Sequence, residues 1–117
     1  MKYKCIKGEE EQVDVLQKDY DSAAKFGILS LGNSHLFFRK FFKTYYVSYS
    51  ELNAAFRRVY MMNGKKNSVA MEYLVLASKG TEIATIGLPG TAKAKEIIEI
   101  IKEKAPHIDT VYKGEAV

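Results

Sequence analysis

Seven cations and a cluster of aromatic rings occupy the middle of this chain. Between residues 35 and 66, Arg39, Lys40, Lys43, Arg57, Arg58, Lys65 and Lys66 face a single acid, Glu51. Guanidinium and ammonium groups gathered in this way hold carboxylates, phosphates or an anionic surface. The stretch HLFFRKFFKTYYVSY, residues 35–49, interleaves cations with rings, and nine of the fourteen aromatic residues fall between positions 37 and 60. Rings beside cations also equip a protein to stack on single-stranded nucleic acid. A β-sheet core needs the same rings, however, and strand alternation assigns Phe38, Tyr45 and Tyr49 to it. Phe37, Phe41, Phe42 and Tyr46 are left as candidates for exposure and protein contact, with at least two of them expected to pack.

Reaction chemistry finds little to work with. Ser34, Ser48 and Ser50 need a positioned base, and His35, the histidine near them, has no acid in the same third of the chain except Glu51. Glu9, Glu10 and Glu11 suit the start of a helix without any catalytic use. His35 and His107 have no acidic neighbours at ligand spacing, and the single cysteine, Cys5, excludes both an internal disulfide and a multi-cysteine metal site. NGKKNS lacks the spacing of a phosphate loop and reads as a hairpin turn; GLPGTAK reads as a strand-to-helix connection. No catalytic residue, metal or cofactor is expected.

The chain has 117 residues, 47% hydrophobic and 27% charged, the balance of one globular domain. No signal peptide or membrane-spanning apolar run is visible, so the reading is a cytoplasmic protein. The net charge of +4 is uneven: residues 1–25 carry five lysines against six acids, residues 67–117 carry six cations against seven acids, and the excess lies between them.

The elements that must position these residues follow from periodicity. Val13, Leu16, Tyr20 and Ala23 or Ala24 fall at helical spacing within residues 9–24, with acids in the first turn. FGILSLG then alternates as a strand, closed by Gly32-Asn33, which tolerate positive φ. HLFFRK and TYYVSYS read as the next strands, with RKFFK a loop or hairpin end holding Arg39, Lys40 and Lys43 in water. AAFRRVYMM competes between helix and strand, and its β-branched and aromatic residues with the following Asn63-Gly64 favour strand. VAMEYLVLAS is a central strand, Lys79-Gly80 turns it into TEIATIG, and Gly87 to Gly90 stops the sheet. Thr91 then caps a helix over 92–105, whose stripe of Ala94, Ile97, Ile98, Ile101 and Ala105 makes it a lid; Pro106 ends it. Loss of Ile97 or Ile101 should be among the more damaging single changes.

One helix, about six hairpin-linked strands and a closing helix predict an α+β fold, an antiparallel sheet whose dry side that helix covers. GILSLGNSHLFF, VSYSELNAAFRRV and LPGTAKAKEIIEIIKEKAP, over residues 26–105, resemble the pleckstrin-homology-like (PH-like) superfold in its small bacterial form, which implies a partly open barrel of six to seven strands. Residues 1–25 would be a helical extension and 106–117 a tail of the same single domain.

The resemblance implies a non-catalytic module that holds phosphoinositide head groups, peptides or protein surfaces. Members that bind phosphoinositides gather cations in the first hairpin, but here its tip is Gly32-Asn33-Ser34, so that property does not carry over. The leading expectation is a binding or scaffolding module acting through a protein partner or a second copy of itself, by a sheet edge and the rings around Phe41 and Phe42. The alternative is an anion binder, for anionic lipid or nucleic acid, acting through the seven cations; nucleic acid is the less expected of the two. Reversing Arg57 and Lys43 to Glu should then remove anion binding and leave the melting temperature nearly unchanged.

Overall fold

A computed structural model describes residues 3–63, 68–88 and 91–111. Gly64, Lys65, Lys66, Pro89 and Gly90, on which several of the readings above fall, lie outside them, as does the Thr91 side chain. The fold is α+β: β1 (Tyr3–Cys5), α1 (Val13–Asp21), β2 (Ala24–Phe26), β3 (Leu29–Leu31), β4 (His35–Lys40), β5 (Lys43–Ser48), β6 (Ala54–Asn63), β7 (Ser68–Ser78), β8 (Thr81–Gly87) and α2 (Thr91–Lys104). Five strands form one sheet in the order β1-β5-β4-β3-β2 and three form another in the order β6-β7-β8. Among the described residues no strand pairing joins the two sheets, and no barrel closes.

The segment from Phe26 contains a break that the alternation hides. Gly27 takes φ of 63° and turns the chain back, so Ala24–Phe26 pairs with Leu29–Leu31 as a tight hairpin and Ile28 sits in its turn. The expected N-terminal helix is shorter than its pattern. Ala24 joins the sheet at one end, and at the other the Glu11 N–H donates to the Tyr46 hydroxyl at 2.8 Å, outside α1. The Ser22 side chain turns back onto the Lys18 and Asp19 carbonyls and stops the helix. β1 was not expected at all, and it pairs with β5 in parallel, so the larger sheet is mixed rather than antiparallel.

β6 is a strand over its whole length, in register with β7 from Ala54↔Ala77 to Asn63↔Ser68. The main core lies between the two sheets and α2, with Leu36, Val47, Leu74, Leu76, Ile97 and Ile101 fully buried. Burial of each such side chain is worth about 1.5–3 kcal/mol, so the isoleucine stripe of α2 is a lid as its spacing predicts. The chain beyond α2 also packs: Ile108 is buried and Asp109 bridges to Ala54.

A second, smaller core lies on the other face of the five-stranded sheet. There Leu16 of α1 meets Phe37 and Tyr46, with Tyr3, Cys5 and Tyr20 around them. Of the four rings that were candidates for exposure, at least two of them expected to pack, Phe37 and Tyr46 are the packed pair, at 0% and 2% exposure. The alternation along β4 and β5 is as read, but α1 and β1 cover the face that a one-sided sheet would have left wet.

Candidate functional site

β4 and β5 pair from His35↔Ser48 down to Lys40↔Lys43, which leaves Phe41 and Phe42 as a two-residue turn. A turn of this length matches strand twist when both central residues have positive φ, a conformation that favours Asn-Gly or Gly. Here φ is 51° at Phe41 and 67° at Phe42. Residues with a Cβ lose about 1–2 kcal/mol each in that region. The two rings recover little by packing, since Phe41 is 80% exposed and Phe42 is 109% exposed, as open as in an extended chain.

The neighbours add a further local cost. Lys40 and Lys43 stand directly opposite each other across the hairpin, and like charges so placed repel. Arg39, one step back, is also exposed. None of the three makes an ion pair among the described residues; the Lys40 ammonium instead lies 5.8 Å from the centre of the Phe41 ring. Ile28, in the β2–β3 turn, adds an apolar side chain at 42% exposure. With residues 39–44 it borders an open recess of about 720 Å³.

The other expected cations are placed differently. The Arg57 Nε bonds a Glu72 carboxylate oxygen at 2.5 Å, and Glu72 is buried. The Arg58 guanidinium grips both oxygens of Glu82, at 3.1 and 2.5 Å, and lies 5.5 Å from the Phe56 ring. The hydrogen bond from Arg58 holds the Glu82 carboxyl below its usual range, and the same bond holds the guanidinium protonated. Arg57 and Arg58 thus belong to ion pairs of the three-stranded sheet, unlike Arg39, Lys40 and Lys43. Lys65 and Lys66 lie outside the described residues.

His35 has the acidic partner that sequence distance concealed. Its Nδ1 lies 2.9 Å from Asp19 Oδ2, and the same carboxylate accepts the backbone N–H groups of Asn33, Ser34 and His35 at 2.6, 3.0 and 2.9 Å. Burial opposes ionisation of Asp19, but the His35 bond and the three main-chain donors together hold its carboxyl below the usual range. Neither Gly32 nor Asn33 takes positive φ. Glycine is needed at 32 for room: a Cβ there would lie 2.6 Å from the Asp19 carboxylate. The Tyr49 hydroxyl donates to Gly32 O at 2.9 Å, and Lys104 of α2 reaches the Asn33 side chain at 2.6 Å. This end of β4 is a staple. The Ser48 and Ser50 hydroxyls bond each other at 2.9 Å, and Ser48 Oγ caps the short 3-10 turn at Tyr49–Glu51.

No helix among the described residues is long and apolar enough to cross a membrane, and no acid, histidine and cysteine cluster among them has the makings of a metal site. Comparison with family models, curated proteins and solved structures finds no match.

Proposed function

We propose that this chain is a non-catalytic, PH-like binding module that docks reversibly on anionic membrane surfaces through the tip of the β4–β5 hairpin. The observation that carries the reading is the tip itself: two unpacked phenylalanines in left-handed backbone, flanked by Arg39, Lys40 and Lys43 without acidic partners. Rings at the apex and cations one step behind fit a bilayer interface, where the rings reach the acyl boundary and the cations meet anionic head groups. A phenylalanine taken out of water contributes about 1.5–3 kcal/mol and a cation near an anionic leaflet about 1 kcal/mol. Partial insertion of both rings and three cations therefore supplies on the order of 5 kcal/mol, enough for transient attachment.

The PH-like part rests on element order: a four-strand meander β2–β5, a three-strand meander β6–β8 and a closing helix, with β1 and α1 as additions. The non-catalytic part rests on the use of Asp19, His35, Ser48 and Ser50 in turns and caps. The expected protein-contact surface keeps Phe41 and Phe42 but loses Phe37 and Tyr46 to the small core. What remains is too cationic for an apolar protein seam and well suited to a charged one.

Co-sedimentation with vesicles of phosphatidylglycerol and phosphatidylcholine tests this. Binding should weaken as salt rises, vanish on pure phosphatidylcholine, and fall at least about tenfold in Phe41→Ser/Phe42→Ser. Equal sedimentation of the wild type and this variant would overturn the proposal.

A further inference from the structure

We infer that the open seam between the two sheets is a binding site for a single-chain anionic amphiphile, with its alkyl chain in the seam and its head group at Lys40. The inference goes beyond membrane docking, since it requires neither Phe42 nor a bilayer.

The seam exists because the sheets do not close. β8 is an edge strand paired with β7 on one side, and its residues Ile83, Ala84 and Thr85 line a cleft together with Phe38, Lys40 and Tyr45 of the larger sheet. The cleft holds about 350 Å³, at the small end of the usual range for ligand sites. Its floor is the stacked pair Phe38 and Tyr45, with ring centres 5.4 Å apart and planes 20° apart. Ile6, Lys40, Phe41 and residues 83–85 of β8 complete its lining.

The β8 wall has a local reason for leaving space. The pairing steps from Leu76↔Ala84 to Ala77↔Glu82, so Ile83 is the extra residue of a bulge. Bulges re-aim side chains. The next residue along this wall is Ala84, too small to fill the gap. Ile6, Tyr45, Ile83 and Ala84 all border the main core and remain only partly buried, so the seam presents apolar surface that the fold itself does not cover.

Chemistry at the mouth selects the head group. Among the described residues lining the cleft, Lys40 is the one charged side chain and none is acidic. An apolar slot with one ammonium at its rim matches an alkyl chain that ends in a carboxylate. A neutral alcohol would leave the ammonium without its partner, and the slot is too small for a second chain.

Titration of the full-length chain with decanoate, kept below its micelle concentration and followed by calorimetry and amide chemical shifts, tests the inference. We expect saturable binding at one site, with shifts centred on residues 83–85 and 38–45. Decanol should bind about tenfold more weakly than decanoate, and Lys40→Ala should erase that difference. Ala84→Phe should fill the slot and abolish binding of both, while vesicle sedimentation persists. Should Ala84→Phe fail to fold, the decanoate-to-decanol ratio in Lys40→Ala decides the matter. Phe42→Ser should lose vesicles and keep decanoate, so either reading can fall without the other. Absence of saturable decanoate binding, or unchanged affinity in a folded Ala84→Phe, would overturn the inference.

Discussion

Two turns of this molecule share a backbone and carry different residues. Lys79-Gly80 joins β7 to β8 with φ of 53° and 83°, and Phe41-Phe42 joins β4 to β5 with φ of 51° and 67°. The first follows turn chemistry: glycine occupies one left-handed position, and added bulk at Gly80 would meet nothing within 4 Å. The second opposes it at both positions and gains little packing inside the molecule. Geometry alone would have been served by Asn-Gly, so the aromatic pair is best explained by what it meets outside. The proposed docking tip rests on a residue choice that disagrees with its own local structure rather than on charge, because charge also marks Arg57 and Arg58, which hold ion pairs within the fold.

That contrast can be broken in several ways. The largest effect should come from a phenylalanine that only looks like those of the tip. Phe37→Ala should cost about 3–5 kcal/mol in a denaturant melt, and Phe42→Ala almost nothing. Asp19→Ala strips three backbone donors and His35 of their acceptor and should cost about 1–3 kcal/mol.

The same staple sets a pH dependence. Asp19 has a folded value below its unfolded one of about 3.9, so its contribution is complete above that pH and is lost as pH falls through the folded value. Melting temperature should therefore decline below about pH 4 in the wild type, and the decline should be shallower in Asp19→Asn.

Arg57→Glu sets a second carboxylate against buried Glu72 and should lower stability by about 1–3 kcal/mol. Lys43→Glu, which removes a like-charge pair, should leave stability the same or slightly higher while weakening vesicle binding. The joint reversal of Arg57 and Lys43 is thus no clean test of anion binding. The most diagnostic change is Phe41→Asn/Phe42→Gly. It should raise stability by about 1–2 kcal/mol, a few degrees in melting temperature, while abolishing vesicle binding. Reduced stability in that variant would show that the rings are structural.

Period-two patterning made the strands from β4 to β8 legible, and the isoleucine stripe made α2 legible, because each buries a face against one neighbouring layer. What escaped was whatever depends on a second layer. Nothing in KYKC announces a strand, since three residues paired in parallel with β5 carry too short a pattern. Without β1 and α1, nothing tells which two of Phe37, Phe41, Phe42 and Tyr46 pack. The Asp19–His35 contact was hidden by the fifteen residues between its partners, and Gly32 was assigned a conformational role when its role is space. At the tip, sequence located Phe41, Phe42 and the three cations correctly in a hairpin end, but ion pairing removes Arg57 and Arg58 from that set, and opposite strand faces alone could not show it.

The parallel seat of β1 beside β5 also bears on how the molecule assembles. β2 to β5 can zip by successive short-range closures, whereas Tyr3 must wait for Thr44 to be made before it has a partner. During synthesis the leading segment is therefore a spectator, and the Leu16 layer settles only after the hairpins it will cover already stand.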